Sequence, residues 1–432
     1  MPEIILFFDV SVHTRHHEQA GLVISGIERV CLEELKTIVQ NDKFELYLYS
    51  SRGDERYISY LIENLSFLKN TKIFQLPSYR IAASLLRKPV SLLVHLLERM
   101  GNLGCKHLLP PFLPFLIKLW SLGTIKVSSL PEFKNRKLIC YSPFRAYPPC
   151  FYIDKNIRKA ALIHDIIPLR YVPFPSREYW GYLIDFSLFA RYSDLLFFMS
   201  KFTRQDFQEF FPEARQPSAI TYGAASNNFY PRSSEENAQI RRNYGIAENS
   251  FCFLSVASSG KRKNLEALLH GFLELKQLFP QDALTLLLVG PAGLEFQTPA
   301  THNLGIIATG FVPDQDIPLL YSASSCFCFF SHYEGFGLPV LEAFASGLPV
   351  ICSNNSSVGE IAGNAAFLID PTSSQDILDA MKKVYLDSEL QAKLRQAGLA
   401  RAKGFSWQTH CQIFLISCDL SLGHMIGHRR EK

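Results

Sequence analysis

Glu334 and Glu342 stand eight positions apart around a turn that reads Gly335-Phe336-Gly337-Leu338-Pro339. Carboxylates are good acceptors for sugar hydroxyls. The apolar run Cys326–Phe330 before them reads as a buried strand. Gly335 and Gly337 let the backbone turn tightly and clear side chains from a ligand's approach. Pro339 suits a first helical position and Gly347 a helix stop, so a short helix and a second strand over 348–352 should follow. A helix start behind a glycine turn offers free N–H groups and a positive dipole end to phosphate. By itself a Gly-x-Gly turn is a weak signal, and Glu342 could equally be a solvated helix residue. A second group of chemical residues is the turn Ser258-Ser259-Gly260-Lys261-Arg262-Lys263-Asn264, which closes the apolar strand 251–257. Such a turn is either an ordinary basic surface loop or a cationic clamp for charge developing on a leaving diphosphate. A third is His164-Asp165, the polar pair that ends the strand running from Ala161, where the pair could satisfy itself or face a ligand at the sheet edge. His13, His16 and His17 are irregularly spaced and lack a partner set, so they read as a solvated loop and no metal site is expected.

The elements that must position these groups alternate strand and helix. Ile4–Val10 is a first strand; Ser25 is a plausible N-cap with Glu28 at the capping-box position of a helix to about Val39. Strand, loop and helix in that order begin a Rossmann-like unit, whose ligands bind at the carboxyl ends of its strands. Further strands are expected at 46–50, 195–199, 251–257 and 284–290, and helices over 239–244 and 265–279. At 432 residues the chain should hold two domains, each with its own core. A formal charge of +4 is too slight to argue for nucleic acid. The cysteines form no Cys-x-x-Cys pair, which suits a reducing cytosol. Cys326 and Cys328 alternate in a strand and should face the same side as small hydrophobes.

Between Arg80 and Lys126, the basic residues Arg80, Arg87, Lys88, Arg99, Lys106, Lys118 and Lys126 are opposed only by Glu98. Segments 82–97 and 113–120 carry apolar residues at near-helical spacing. They are either ordinary helices burying one face or an amphipathic surface for anionic lipid or a lipid-linked acceptor. Pro110, Pro111 and Pro114 break the longest stretch, so no spanning helix is expected. The opening Met1-Pro2-Glu3 lacks the basic region of a signal peptide. The basic tail His424–Lys432 reads as unstructured.

Glu, seven residues, Glu, enclosing Gly-Phe-Gly-Leu-Pro, resembles the donor-binding signature of the retaining family-four glycosyltransferases. That resemblance implies a GT-B fold: α/β, two Rossmann-like domains whose parallel sheets face a central cleft. It implies that Glu334 and the amides of Gly335, Phe336, Gly337 and Leu338 meet the sugar and diphosphate, and that Glu342 holds the ribose. The Arg-Lys-Asn word makes Lys263 the phosphate ligand and Arg262 its companion, although the family's Gly-Arg directly after the strand is absent. Thr309–Asp314 is similar to the base-binding loop, where backbone groups at Phe311 and Val312 read the nucleobase. Gly223, Phe229 and Pro231 match the passage between domains, with Ala225 in place of the usual acid. Asp9-Val10-Ser11 with Ser25–Val30 resembles a bacterial mannosyltransferase-like subgroup, from which Glu28 departs. It places Gly26 and Arg29 near the acceptor or the cleft. The His-Asp-x-Ile-Pro phrase implies a sugar contact for His164 and a less definite cleft position for Asp165. Ser200 looks like the family's serine before a helix, Gly359–Ala362 resembles a helix start, and Phe405-Ser406-Trp407 the phrase before a helix that crosses back.

The implied organisation is an acceptor-side domain over 1–222 containing the 80–126 region, a nucleotide-sugar domain over 223–405, and a closing helix and tail over 406–432. The implied reaction moves a hexose, above all mannose from GDP-mannose, to a hydroxyl of a surface polysaccharide or lipid-linked glycan. The nucleotide sugar is a substrate; neither a cofactor nor a metal is expected. The expected setting is the cytoplasm, with the inner face of an anionic membrane as a peripheral contact. A UDP-sugar donor, a nucleotide-sugar hydrolase or epimerase, and a non-catalytic GT-B scaffold are the alternatives.

Overall fold

A computed structural model of the chain describes residues 2–11, 26–50, 55–76, 117, 124–172, 176–256, 260–291 and 304–429. The histidine loop, Ser25, the helical segments of the 80–126 region, Ser258 and Ser259 fall outside the described residues. Two compact units emerge: Met1–Met199 with Thr203–Thr221 and Trp407–Lys432, and Ser200–Phe202 with Tyr222–Ser406.

The first unit is built on a seven-stranded sheet, β1 (Ile4–Asp9), β2 (Phe44–Tyr49), β3 (Lys72–Ile73), β4 (Lys137–Ser142), β5 (Ile157–Ile163), β6 (Leu195–Phe198) and β7 (Ser218–Ile220). The order is β3-β2-β1-β4-β5-β6-β7, and every pairing is parallel. Strands covered on both faces need apolar residues at successive positions, and β1 is buried at every residue. On one side Phe7 meets Phe74, Phe133 and Phe151 at ring-centre distances of 4.8, 5.1 and 5.3 Å. The helix Gly26–Val39 carries Glu34, 2% exposed, whose Oε1 accepts from Tyr141 Oη at 2.7 Å and lies 2.8 Å from His410 Nε2. Buried polar groups are tolerated where they pair in this way.

The second unit holds β8 (Phe251–Val256), β9 (Leu284–Val289), β10 (Ile306–Gly310), β11 (Cys326–Phe329), β12 (Val350–Ser353) and β13 (Phe367–Ile369). Their order is β10-β9-β8-β11-β12-β13, again all parallel. Both sheets therefore run outward in one direction and then reverse, at β1/β4 in the first and at β8/β11 in the second. Each reversal opens a crevice beyond the strands' carboxyl ends, the place where doubly wound sheets bind ligands. Cys326 and Cys328 share one buried cluster, as their alternation implied. A Cβ at Gly398 would lie 2.6 Å from Cδ1 of the fully buried Phe344, so this glycine lets the helix Ser388–Ala402 seat against Leu338–Ala345.

Several expected boundaries move. The expected strand over 348–352 is Val350–Ser353, and the expected helix over 239–244 begins earlier, as Ser234–Asn243. Ser233 and Glu236 form a capping box there, a signal that sets the start more firmly than apolar spacing. The tail is a correction: the helix Trp407–Arg429 runs through His424 and beyond. Cys411, Phe414 and Cys418 bury one stripe of it, and that anchoring extends a helix that composition alone leaves open. Among the described residues no helix is long and apolar enough to cross a membrane.

Candidate functional site

The reversal of the second sheet brings two turns side by side, one behind β8 and one behind β11. Behind β8, Gly260 takes φ +131° and Lys261–Lys263 make a single 3₁₀ turn. Asn264, at φ 54°, reaches the left-handed region open to asparagine, and its side-chain amide donates to the Pro371 carbonyl at 2.7 Å. Leu265–Leu278 then continues as a helix. Behind β11 the chain enters the turn 331–337, and the helix Leu338–Ala345 starts from Gly337, whose φ of +110° would strain any side chain. Pro339 sits in the first turn, as expected.

The two turns are joined through Glu334. Its Oε1 lies 2.6 Å from Arg262 Nη1 and 2.7 Å from Lys263 Nζ. Arg262 Nη1 also donates to the Tyr333 carbonyl at 2.6 Å, and the His332 N–H donates to the Arg262 carbonyl at 2.9 Å. Lys263 Nζ lies 5.1 Å from the Phe329 ring centre. Burial pushes the Glu334 carboxyl up, but Lys263 and Arg262, with the Ser331 hydroxyl, outweigh it and hold it below its ordinary value. The carboxylate is therefore ionised at neutral pH, and one negative charge faces two positive ones.

Serines fasten the turn. Glu334 N–H donates to Ser356 Oγ at 3.2 Å, Ser357 Oγ donates to the Glu334 carbonyl at 2.7 Å, and Ser200 Oγ donates to the Gly335 carbonyl at 2.8 Å. Ser200 is the serine that the family resemblance marks; Ser356 and Ser357 lie in a run of polar residues, Ser353–Ser357, that no motif singles out. The Phe336 side chain is buried, near Tyr222 and Phe405. Leu338 opens the helix, which carries Glu342 inward; Glu342 is 5% exposed and accepts from Tyr321 Oη at 3.2 Å, so it is not a solvated helix residue. Phe311 follows β10 and is 60% exposed, and Val312 is half-buried. Gly223 is buried. Glu360 lies in the last turn of Ser356–Ala362, not at a helix start, and accepts from Lys201 N–H, Phe202 N–H and Tyr222 Oη. Among the described residues no cluster of three His, Cys, Asp or Glu is placed to hold a metal ion.

The remaining expected residues belong to the first unit. Gly26 is the first helical residue and Arg29 lies in the same turn. Asp165 Oδ1 accepts from the Ile167 N–H at 2.9 Å, which closes the turn into the helix Ile167–Tyr171. His164 follows β5, with Nε2 2.8 Å from the Pro143 carbonyl. A carbonyl only accepts, so Nε2 carries the hydrogen and Nδ1 is the acceptor. Burial pushes this imidazole down to about 4, against the Pro143 bond, and nearby His410 adds a smaller push in the same direction. Unfolded chain takes up the proton near 6.5 and the native state near 4. In between, the unfolded state binds more protons, so stability falls as pH drops through that window and levels off below it. The contribution is about 3 kcal/mol. Denaturant unfolding at pH 7 and pH 4 should show this loss in the native chain and a loss smaller by that amount in His164→Gln.

The family described as glycosyl transferases group 1 matches residues 236–401. The O-antigen chain mannosyltransferase B of Escherichia coli is 31% identical over 281 residues, covering 62% of this chain and 72% of that protein. The serotype-specific mannosyltransferase WbdA of Escherichia coli is 31% identical over 266 residues, 58% of this chain, and the match spans 32% of that longer protein. Among solved structures, Anabaena Alr3699/HepE in complex with UDP and glucose superposes with a TM-score of 0.62 at 18% identity, covering 96% of this chain and 99% of that one. That likeness is one of fold, and with the two reversing parallel sheets it identifies the architecture as GT-B. With a mannosyltransferase 31% identical across 72% of its length, the chain belongs to the group 1 glycosyltransferases.

Proposed function

We infer that the chain transfers a mannosyl group from GDP-mannose, with retention of anomeric configuration, to a hydroxyl of a surface polysaccharide or lipid-linked glycan. The observation that carries the reading is the pair Arg262 and Lys263 converging on Glu334 at the β8/β11 reversal. Two cations on one turn are what a departing diphosphate requires. The sugar follows from the names of the similar Escherichia coli proteins, both mannosyltransferases.

In this reading the diphosphate lies on Lys263 and Arg262 and on the amides of Gly335 to Leu338 at the helix start. Glu334 meets the hexose, Glu342 the ribose, and the backbone at Phe311 and Val312 the base, with Gly223 behind the nucleotide. His164, Gly26, Arg29 and Asp165 serve the sugar and acceptor. The bond from the anomeric carbon to the phosphate oxygen breaks as the acceptor oxygen bonds to that carbon from the same face. The acceptor's proton passes to the leaving phosphate oxygen, so the chain supplies orientation and charge rather than a dedicated base. The nucleotide sugar is substrate, and no resident cofactor or metal enters. The setting is the cytoplasm, and a lipid-linked acceptor would be met at the membrane's inner face.

Isothermal titration with GDP, UDP and ADP, then with their sugars, tests this. Selective GDP binding followed by mannosyl transfer to glycan is the expected result. UDP selectivity would replace the donor. Donor turnover without acceptor would favour a hydrolase or epimerase, and no binding by folded protein would favour a scaffold.

A further inference from the structure

The reversal of the first sheet, at β1/β4, gathers a second set of groups. Ser142 ends β4, and its hydroxyl donates to the Arg145 carbonyl while accepting the Arg145 N–H, which folds the next residues into a tight turn. The turn projects Arg145 toward the helix Arg177–Tyr192. There Nη1 donates to Asp185 Oδ2 at 2.8 Å. The guanidinium carbon lies 5.1 Å from the Phe144 ring centre and 5.2 Å from that of Tyr182. Nε and Nη2 of Arg145 have no hydrogen-bond partner among the described residues, and the side chain is 23% exposed. An arginine tethered at one nitrogen and held between two aromatic rings keeps its other donors in a fixed fork.

We propose that Arg145, with Asp185, Phe144 and Tyr182, forms a subsite for a neutral sugar ring, the glycan end of the acceptor. The local charge favours a polyol over phosphate. Asp185 neutralises Arg145, and Asp9 adds a further negative charge to the field around it. His164, whose Nε2 holds the carbonyl of Pro143 two residues before Arg145, is uncharged at neutral pH. Among the described groups that act on Arg145, a dianion would therefore meet more negative than positive charge. Hydroxyls meet donors on Arg145, and the C–H face of a pyranose matches the half-buried Phe144 and Tyr182. The role as acceptor subsite rests on the transferase reading; the neutral-sugar chemistry does not.

Saturation-transfer NMR on the full chain, with methyl α-D-mannopyranoside as probe, tests it. Saturation is expected with the native chain and undiminished by inorganic phosphate. In Arg145→Gln the affinity should fall by about tenfold, the loss of one or two charge-assisted hydrogen bonds. Arg145→Lys keeps the ion pair with Asp185 but removes the fork, so it should melt like the native chain and still bind weakly. Lys263→Ala should bind the glycoside normally while losing nucleotide, so a failed donor site and a failed sugar subsite give different results. Displacement of the glycoside by phosphate, native-like binding by folded Arg145→Lys, or no saturation of the native chain would each overturn the proposal.

Discussion

Lys263→Ala should lower kcat/KM for the nucleotide sugar by about 10²–10³, the usual cost of removing one preorganised group from developing charge. The substitution isolates ligand binding from folding better than any other at this site. Lys263 is 12% exposed, and its one ion-pair partner among the described residues is Glu334. When Lys263 is lost, Glu334 keeps Arg262 at 2.6 Å, so no buried charge is stranded. Arg262 is a poorer probe, since it also holds the Tyr333 carbonyl and its removal would loosen the turn itself. Three readouts should move together. Affinity for GDP should fall while affinity for guanosine stays the same, because on the proposed reading Lys263 serves the diphosphate and not the nucleoside. Lys263→Arg should recover part of the rate, since the charge returns with a different shape. The thermal midpoint should change little. Native-rate transfer by folded Lys263→Ala would remove Lys263 from the site and with it the main support for the diphosphate geometry.

The parts of this site that the sequence announces are those governed by local rules. The apolar runs of β8, β9 and β11 report strands buried on both faces, and Gly337 followed by Pro339 reports a turn into a helix. What local rules cannot carry is the meeting of segments far apart in the chain. Ser356 and Ser357 clasp Glu334 from 22 and 23 residues away, and Tyr321 holds Glu342 from 21 residues before it. Serines in a polar loop look alike whether they face water or a carboxylate. Glu360 shows the opposite failure: a short phrase suggests a helix start, yet three donors from other segments set its place near the helix's end. The Arg145–Asp185 pair, 40 residues apart, follows from how β4 and a later helix pack, which no spacing in the chain encodes.

Glu334→Gln should move stability and anion affinity in opposite directions. On the proposed reading the Glu334 carboxylate and a donor phosphate compete for Arg262 and Lys263, which both lie on Oε1. A neutral amide of the same size leaves two partly buried cations facing each other without a counter-charge. The chain should then lose about 3 kcal/mol, the range for breaking a buried pair by removing one partner. The native chain should lose part of that stabilisation in acid. The Glu334 carboxyl is held below its ordinary value in the folded state, so its contribution is present above the unfolded value and lost as pH falls through the folded one. Glu334→Gln should lack that acid-dependent component. Inorganic pyrophosphate should bind the variant tighter than the native chain by about tenfold or more, since it no longer competes with a carboxylate for the cations. It should also restore the lost thermal stability as its concentration rises. Transfer should nevertheless slow, because a site that grips diphosphate before and after reaction gains nothing specific to the transition state, and the sugar loses its carboxylate. If pyrophosphate binds Glu334→Gln no more tightly than the native chain, Glu334 is a structural tether of the two turns rather than a counter-ion that gives way to the donor.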